Sequence, residues 1–319
     1  MASSDILLPL HGWIILDKPL RLGSTQGVGA VKRALREGGY PTVKVGHGGT
    51  LDPLATGVLP VALGEATKLA GRMLDSNKIY EFTISFGTET DTLDLEGKVI
   101  ATSDVRPTRA QIEEVLPVFT GPINQVPPAY SALKVDGARA YDLARAGETV
   151  ALATRLITVH ALRVLCASTG AEPSLRTGVE DSESATYEVT FYTHVSKGTY
   201  IRSLARDIAY ALNTVGHVTT LRRTRAGPFT LVNAISLDLL FEKSKARALE
   251  DICLPLTAGL DDIPALPVTP DQTGLLRQGR VLIGIAADDG LHLAKDGETP
   301  VALVEAIAGE VRVVRGFNL

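Results

Sequence analysis

Residues 46–57, with the sequence GHGGTLDPLATG, form the stretch of this chain that is best equipped for chemistry. Its four glycines allow the backbone to come close to a ligand. Asp52 stands between a leucine and a proline, a pattern that fits a carboxylate held on a rigid turn as a nucleophile or general base. The same pattern also fits a helix N-cap with proline at the first helical position. His47 in this stretch fits an ordinary loop histidine as well as a catalytic one.

A second stretch of interest, SKGTYIR at residues 196–202, joins a predicted strand to a predicted helix. Tyr200 offers an aromatic face to a base, and Arg202 offers a cation that can pair with a carboxylate or a phosphate. The alternative for this stretch is a solvated helix start. Tyr80 opens another predicted strand, where the pattern alone fits an ordinary strand tyrosine. Because only 5% of the residues are aromatic, tyrosines at such junctions stand out.

The sequence lacks the motifs that are typical of several other enzyme classes. The chain has no phosphate-binding loop, no dinucleotide fingerprint, no His-Glu-x-x-His and no nucleophile elbow. Its six histidines are scattered without metal-ligand spacing, and two cysteines are too few for a disulfide framework or a cysteine-rich zinc site. Nucleotide hydrolysis, hydride transfer and zinc chemistry are therefore disfavoured, and no metal site is expected.

Composition predicts a globular chain with room for two or three domains, since 319 residues include 45% hydrophobic and 21% charged ones. A net charge of −4 does not by itself indicate a nucleic-acid binder. Residues 197–225, however, carry six basic residues and one acidic residue. This segment predicts either a solvated face or a basic stripe that contacts phosphates. With no membrane-length apolar run and no basic signal-peptide start, we expect a reducing, cytoplasmic location.

Local patterns predict the elements that must position these residues. Apolar or alternating runs predict strands at residues 13–16, 80–86, 157–165 and 187–195, and helical spacing predicts helices at 25–36, 65–74, 109–119, 141–146 and 200–212. Because these elements follow no regular βαβ period, we expect an α+β fold with a mixed or antiparallel sheet. Prolines and short β-like runs after Leu254 predict a small, mostly-β second domain from residue 256 onward. Residues 167–185, rich in serine, threonine, glycine and acid, predict an exposed or partly disordered insertion.

Taken in order, these motifs resemble the TruB family, the bacterial tRNA pseudouridine-55 synthases. Family order and spacing hold over roughly residues 12–255 in GWIILDKP (12–19), GHGGTLDPLATG (46–57), GEATK (64–68), YSALK (130–134) and SKGTYIR (196–202). The resemblance implies a pseudouridine synthase catalytic domain at 1–255, with a thumb-like insertion at about 124–153, and a PUA-like RNA-binding domain at 256–319. Departures from the family pattern at Arg21, Gly23 and Gly48 affect contacts around the site rather than Asp52.

The resemblance also implies an activity and the residues for it. Uridine 55 of the tRNA T arm would be flipped out, cut from its ribose, turned and rejoined through carbon 5. Asp52 would be the essential catalytic group, acting at the ribose or the uracil ring, with Arg202 keeping it ionised. Tyr80 would stack on the base and assist proton transfer. Substrate-binding positions of the family match Lys18, His47, Tyr200 and Leu221, of which His47 would fill the space that the flipped base leaves.

The expected partner is therefore the T arm of tRNA, bound by a monomer without a metal or organic cofactor, because the reaction is an isomerisation. Two alternatives stay open: a guide-RNA-dependent synthase subunit and a non-catalytic RNA chaperone. The thumb segment and the lack of long basic tails favour stand-alone action. Asp52 and Arg202, both present, favour retained chemistry, which can coexist with assistance to tRNA folding.

Overall fold

The computed structural model describes residues 7–131, 133–135, 138–146, 152–168 and 185–319. The strands in these ranges are β1 (Gly12–Lys18), β2 (Val45–His47), β3 (Ala55–Leu63), β4 (Lys78–Phe86), β5 (Thr88–Thr90), β6 (Val99–Thr102), β7 (Gly121–Gln125), β8 (Lys134–Val135), β9 (Ala138–Arg139), β10 (Arg155–Ser168), β11 (Glu188–Val195), β12 (Gly216–Ala226), β13 (Phe229–Thr230), β14 (Leu254–Pro255), β15 (Ala265–Pro267), β16 (Leu282–Ile283), β17 (Gly290–Asp296), β18 (Thr299–Ile307) and β19 (Glu310–Gly316). The α-helices are α1 (Ser24–Glu37), α2 (Ala70–Asp75), α3 (Arg109–Val115), α4 (Ala140–Arg145), α5 (Ile201–Ala211), α6 (Leu237–Lys245) and α7 (Pro270–Arg277).

A ten-stranded sheet forms the centre of the fold, in the order β14-β1-β3-β12-β4-β11-β10-β7, with β2 beside β3 and β13 beside β12. Its described ladders are antiparallel, except that β12 runs parallel to β3. The mixed sheet and its flanking helices confirm the predicted α+β class.

Burial on both faces of β1 explains its unbroken apolar sequence. Ile14 and Leu16 pack into one core cluster together with the buried side of α1, whereas Trp13 and Ile15 pack into a second cluster. The helical spacing of α1 is confirmed, because its apolar positions are buried and Lys32, Arg33 and Arg36 are exposed.

The sequence patterns predict no strand at residues 216–226, yet β12 lies there between β3 and β4. Its threonines and arginines break the hydrophobic alternation that marks a strand in the sequence. Arg223 is only 1% exposed, because its guanidinium binds backbone carbonyls inside the fold. Long-range contacts, rather than local pattern, therefore make this segment a central strand.

A second sheet, in the order β15-β17-β18-β19-β16, confirms the predicted small, mostly-β unit near the C-terminus. It begins at Ala265, while β14 still pairs with β1 of the first sheet. Leu293, Leu303 and Phe317 of this unit share one apolar cluster with Trp13. The two sheets are thus joined by a continuous core.

Two predicted features lie partly or mostly outside the described residues. The predicted insertion at 124–153 contains β8, β9 and α4 in its described part, whereas residues 132, 136–137 and 147–151 are outside it. Of the predicted insertion at 167–185, residues 169–184 lie outside the described ranges. Among the described residues, no helix is both long enough and apolar enough to cross a bilayer.

Candidate active site

A cavity of about 780 Å³ lies at the N-terminal end of α5. Its walls come from the loop before β3, the start of β4, the loop between β5 and β6, and β12. Five of the residues predicted from the sequence line it together: Asp52, Tyr80, Tyr200, Arg202 and Leu221. Lys18 and His47 are not among the lining residues.

Asp52 lies in the loop between β2 and β3. Its backbone oxygen accepts a hydrogen bond from the backbone N–H of Ala55 at 3.0 Å, so the chain turns directly into β3. No helix begins here, and the N-cap interpretation of Asp52 is therefore wrong. The side chain is 41% exposed, which leaves the carboxylate open to the cavity.

Arg202, in the first turn of α5, provides the positive charge beside Asp52. Its Nη2 lies 2.9 Å from Asp52 Oδ2, and its Nη1 lies 3.5 Å from Asp94 Oδ2. The guanidinium also donates to the backbone oxygens of Thr92 at 2.8 Å and Tyr130 at 3.0 Å. With its side chain only 8% exposed, Arg202 is fixed between two carboxylates and two carbonyls.

Asp94 is a site residue that the sequence analysis missed. It belongs to an acidic run between β5 and β6 that has no motif of its own. Thr92 Oγ1 and the Glu96 backbone N–H donate to its Oδ1, which orients the other oxygen toward Arg202. Asp94 is recognised as part of the site only from its long-range contact with Arg202 of α5.

The buried cation Lys18 helps to hold the loop that carries Asp52. Lys18 Nζ donates to the backbone oxygens of Leu22 at 2.6 Å, Pro19 at 3.1 Å and Pro53 at 3.3 Å. Burial lowers the pKa of Lys18 to about 8, although the charge of Asp52 acts in the opposite direction. Lys18 thus ties the Asp52 loop, through Pro53, to the segment between β1 and α1. Its substrate-binding role stays a prediction.

Arg223 and Ser24 hold the same loop through further backbone contacts. Arg223 donates to the oxygens of Gly49, Thr50 and Val58. Ser24 Oγ accepts from the backbone N–H of Leu51 at 2.7 Å and donates to its oxygen at 2.9 Å. Nearly every residue around Asp52 is therefore held by a side chain from another element.

His47 ends β2 and is half-buried. Its Nδ1 accepts a hydrogen bond from the backbone N–H of Gly49 at 3.4 Å. Burial, helped by the charge of Arg223, lowers the pKa of His47 below its usual value. Both effects favour the neutral form of the ring.

Tyr80 and Leu221 reach the cavity from neighbouring strands. Tyr80, on β4, is 9% exposed and pairs in register with Thr193 of β11 and Arg223 of β12. Leu221, on β12, pairs with Ala55 at the start of β3. The sheet thus brings one aromatic and one aliphatic side chain to the same cavity as Asp52.

Tyr200 immediately precedes α5 and is held by Gln125, the last residue of β7. The Tyr200 backbone N–H donates to Gln125 Oε1 at 2.8 Å, and Gln125 Nε2 donates to the Tyr200 oxygen at 3.1 Å. Arg155 lies over the Tyr200 ring, 5.7 Å from its centroid. Burial raises the pKa of the Tyr200 phenol. Gln125 was not predicted as a site residue; in the sequence it lies only within the thumb-like insertion that the resemblance implies at about 124–153.

The predicted basic stripe at residues 197–225 does not form one phosphate-facing surface. Arg202 and Arg223 are buried, so the stripe prediction is wrong for both. Arg222 makes two contacts with the carboxylate of Asp17, at 3.0 and 2.8 Å. Arg225 remains exposed. In the described part of the chain, no three histidine, cysteine, aspartate or glutamate side chains group as metal ligands would.

Comparison with known proteins finds two family models that match this chain. The one described as TruB family pseudouridylate synthase (N terminal domain) matches residues 36–201, and the one described as tRNA pseudouridylate synthase B C-terminal domain matches residues 202–261. A tRNA pseudouridine synthase B from Novosphingobium aromaticivorans is 62% identical over 97% of this chain and 98% of its own. A tRNA pseudouridine synthase B from Zymomonas mobilis subsp. mobilis is 58% identical over 97% of this chain and 96% of its own. A chain in the crystal structure of a Cbf5-Nop10-Gar1 complex aligns with a TM-score of 0.67 and 26% identity, over 96% of this chain and 84% of that one.

Proposed function

We propose, because this chain belongs to the TruB family of pseudouridylate synthases, that the uridine it isomerises is position 55 in the T arm of tRNA. The chain is a tRNA pseudouridine synthase, an isomerase that acts on RNA. The motifs at residues 46–57 and 196–202 support the finer assignment to position 55. In this proposal residues 1–255 form the catalytic domain, and the PUA-like unit at 256–319 adds contact with the RNA.

The observation that carries the proposal is the pair formed by Asp52 and Arg202 in the cavity. The guanidinium is buried and fixed by the backbone oxygens of Thr92 and Tyr130, so it holds Asp52 Oδ2 in one position. The carboxylate itself is 41% exposed, which leaves it accessible to a nucleotide. A fixed cation beside an accessible carboxylate suits a catalytic group, since the charge is oriented before the substrate arrives.

The reaction needs only the atoms of the substrate. The bond from the ribose C1′ to N1 of uracil breaks, the base turns, and a bond from C1′ to C5 forms. The proton on C5 is then lost, and N1 gains one. Asp52 acts as nucleophile or base at the ribose or the ring, and Tyr80 assists the proton transfer at C5. No redox partner or group donor enters, so the proposal includes no cofactor.

The remaining site residues bind and position the flipped nucleotide. Tyr200 and Leu221 line the cavity and contact the base. His47 takes the space that the base leaves in the T loop, where a neutral ring can stack. Lys18 acts through the Pro53 carbonyl, which it binds, to hold the Asp52 loop.

We further propose that the chain acts in the cytoplasm as a monomer and needs no guide RNA. The near-complete coverage of proteins named tRNA pseudouridine synthase B supports a tRNA substrate. Purified protein alone should convert an unmodified tRNA transcript, and light scattering should give the mass of one chain. Conversion only after a guide RNA is added, or tRNA refolding without conversion, would contradict the stand-alone enzyme.

The roles of the pair are tested with Asp52→Asn, Arg202→Met and the double variant. We expect each single change to lower the single-turnover rate by more than about a hundredfold with little change in tRNA affinity. The double variant should lose little more, because the two residues act as one unit. Asp75→Asn, which removes an exposed carboxylate paired with Lys197, is the matched control and should keep the parental rate.

Position 55 is tested by mapping pseudouridine in the product and by a transcript with cytidine at that position. Modification should appear at position 55 alone, and the cytidine transcript should gain none. A pseudouridine elsewhere would overturn the positional assignment. A near-parental rate for Asp52→Asn would overturn the catalytic role of that residue.

A further inference from the structure

Leu74 stands near the end of α2 and lines the cavity that contains Asp52. The residue is 50% exposed. Of the large apolar residues that are exposed in the described part of the chain, it is the one found in this cavity wall. Leu51 and Val195, which also line the cavity, are instead buried in the core. Leu74 therefore offers apolar surface at the open side of the cavity.

The backbone of Leu74 is held by Lys78, the first residue of β4. Lys78 Nζ donates to the backbone oxygens of Met73 at 2.8 Å, Leu74 at 2.7 Å and Ser76 at 2.5 Å. These bonds use all the donors of the ammonium group. Lys78 is 7% exposed, and burial lowers its pKa to about 8. The described contacts of this buried cation thus fix the end of α2 against the sheet.

Met73 places the same end of α2 against the loop that carries Asp52. An atom at the Cβ position of Gly48 would lie 2.5 Å from Met73 Cβ, which is closer than two carbon atoms can pack. Met73 itself is 3% exposed, so it fills the space beside the loop. The glycine at position 48, which departs from the family pattern, is thus explained by the close approach of α2.

The segment around α2 is also attached to the C-terminal unit. Arg72 Nη2 lies 2.9 Å from both carboxylate oxygens of Asp262. Lys68 Nζ, just before α2, donates to the Gly316 oxygen at 2.8 Å. These contacts and those with β4 hold α2 from both sheets. The position of Leu74 is therefore set before a substrate arrives, which lowers the entropic cost of a contact with it.

We propose that Leu74 is a substrate-binding residue, whose side chain packs against a nucleotide of the RNA at the open side of the cavity. The inference rests on the proposed function, because a uridine bound at Asp52 brings its neighbouring nucleotides to this opening. Leucine packs well against bases in protein–nucleic acid contacts, since a base presents a broad face without hydrogen-bonding groups. Lys78 and Tyr80 share one face of β4, so Leu74 is on the side of the cavity that Tyr80 forms.

The affinity for tRNA tests the apolar contact. Leu74→Ala and Leu74→Asn should each weaken binding of an unmodified transcript by about fivefold to tenfold, because the apolar area that the RNA covers is lost. The single-turnover rate at saturating protein should stay within about twofold of the parental rate, since the contact is the same before and during the reaction. Leu74→Met keeps an apolar side chain of similar size and should bind like the parental protein. Unchanged affinity for Leu74→Asn would overturn the inference, and so would a loss of saturating rate without a loss of affinity.

Leu8→Ala is the matched control. Leu8 is 74% exposed and does not line the cavity. It precedes the end of β1 that pairs with Leu63, whereas Asp52 lies before the opposite end of β3. Leu8→Ala should leave the affinity and the rate within about twofold of the parental values. An equal loss of affinity for Leu8→Ala and Leu74→Ala would overturn a specific contact at the cavity.

Alkylation of an introduced cysteine tests the contact directly. The background is Cys166→Ser, which removes the exposed native thiol. Cys253 reacts slowly, because burial raises its pKa to about 11. Leu74→Cys should react with N-ethylmaleimide in the free protein and about tenfold more slowly with tRNA bound, because the RNA covers the thiol. Leu8→Cys should react at the same rate with and without tRNA.

Filter binding on the same samples shows whether the tRNA is bound. If it is bound and Leu74→Cys still reacts at the rate of the free protein, the inference is overturned. Failure of the parental protein to modify position 55 would instead overturn the proposed function, and the alkylation result would not depend on it.

Discussion

Among the described residues, the side-chain amide of Gln125 makes two hydrogen bonds, both with the backbone of Tyr200. It accepts from the Tyr200 N–H at 2.8 Å and donates to the Tyr200 oxygen at 3.1 Å. Gln125 is 1% exposed, so water does not replace either contact. Because Tyr200 directly precedes α5, this amide fixes where the helix begins, and with it the position of Arg202.

Replacing Gln125 should therefore affect both stability and rate. In Gln125→Leu the Tyr200 N–H loses its partner, while the Tyr200 oxygen keeps the hydrogen bond from the Leu204 N–H. We expect the unpaired N–H to cost about 1–3 kcal/mol of unfolding free energy. The single-turnover rate should fall by about tenfold or more, since the start of α5 shifts. Chemical denaturation and rapid-quench assays measure the two effects.

Gln272→Leu provides the control for Gln125→Leu. Gln272 also bonds to backbone at the start of a helix, α7, but lies in the second sheet's unit. It should lose stability without loss of single-turnover rate. An equal drop in rate for both variants would contradict a specific role for Gln125.

The loop that carries Asp52 could be predicted from the sequence because its signals are local. The glycines and the Leu-Asp-Pro sequence around Asp52 lie within residues 46–57, and the apolar periods of β1 and α1 mark the elements near it. These patterns predicted the fold class and marked Asp52, Tyr200 and Arg202 as candidates. The family resemblance added the base-contact roles of Tyr80 and Leu221, and all five residues line one cavity.

The contacts that hold the site could not be predicted, because they join residues far apart in the chain. Asp94 contacts Arg202 because Asp94 also pairs with Val218 of β12, which places the β5–β6 loop next to α5. The sequence predicts Arg223 to be an exposed cation, yet it donates to backbone oxygens on both sides of Asp52 in the chain. A charged side chain that is satisfied by backbone has no sequence signature, so tertiary structure alone reveals it.

Binding of tRNA should depend on salt through exposed cations rather than through the whole basic segment. Arg225 is exposed, so Arg225→Ala should reduce the slope of log affinity against log salt by about 0.7–0.9 if it contacts one phosphate. Arg223→Ala should instead lower the Tm and leave the slope unchanged, since it removes a donor from three backbone carbonyls inside the fold and at its edge. Filter binding across a salt series, with Tm values for each variant, separates the two outcomes. A changed slope for Arg223→Ala would argue that it meets phosphate.

Lys18 should make stability depend on pH in the alkaline range. Burial lowers its pKa from 10.5 to about 8 in the folded chain. Below pH 8 both states carry the proton, and the burial penalty is fully present. Between pH 8 and 10.5 the unfolded chain binds more protons than the folded one, so the free energy of unfolding rises with pH.

This rise is measured as the difference between the parental protein and Lys18→Arg, which does not titrate in that window. Denaturant unfolding at several pH values should show the parental protein gaining stability relative to Lys18→Arg as the pH increases. Lys18→Met should give the same relative gain, because it also lacks the titrating group. Parallel pH profiles for the three proteins would contradict a lowered pKa.

Removal of the C-terminal unit should destabilise the ten-stranded sheet as well as weaken RNA binding. Deleting residues 256–319 removes Leu293, Leu303 and Phe317 from the cluster that covers Trp13, together with the Leu256 oxygen that Trp13 Nε1 donates to. Exposing this much apolar surface should lower the Tm by about 10 °C or more.

Phe317→Ala in the full chain separates the loss of stability from the loss of RNA binding, because it opens the shared core and leaves the rest of the unit present. At a temperature where both proteins are folded, Phe317→Ala should bind tRNA like the parental protein, whereas the truncated chain should bind more weakly while still converting bound tRNA. Unchanged tRNA affinity in a folded truncated chain would show that the unit serves the core alone.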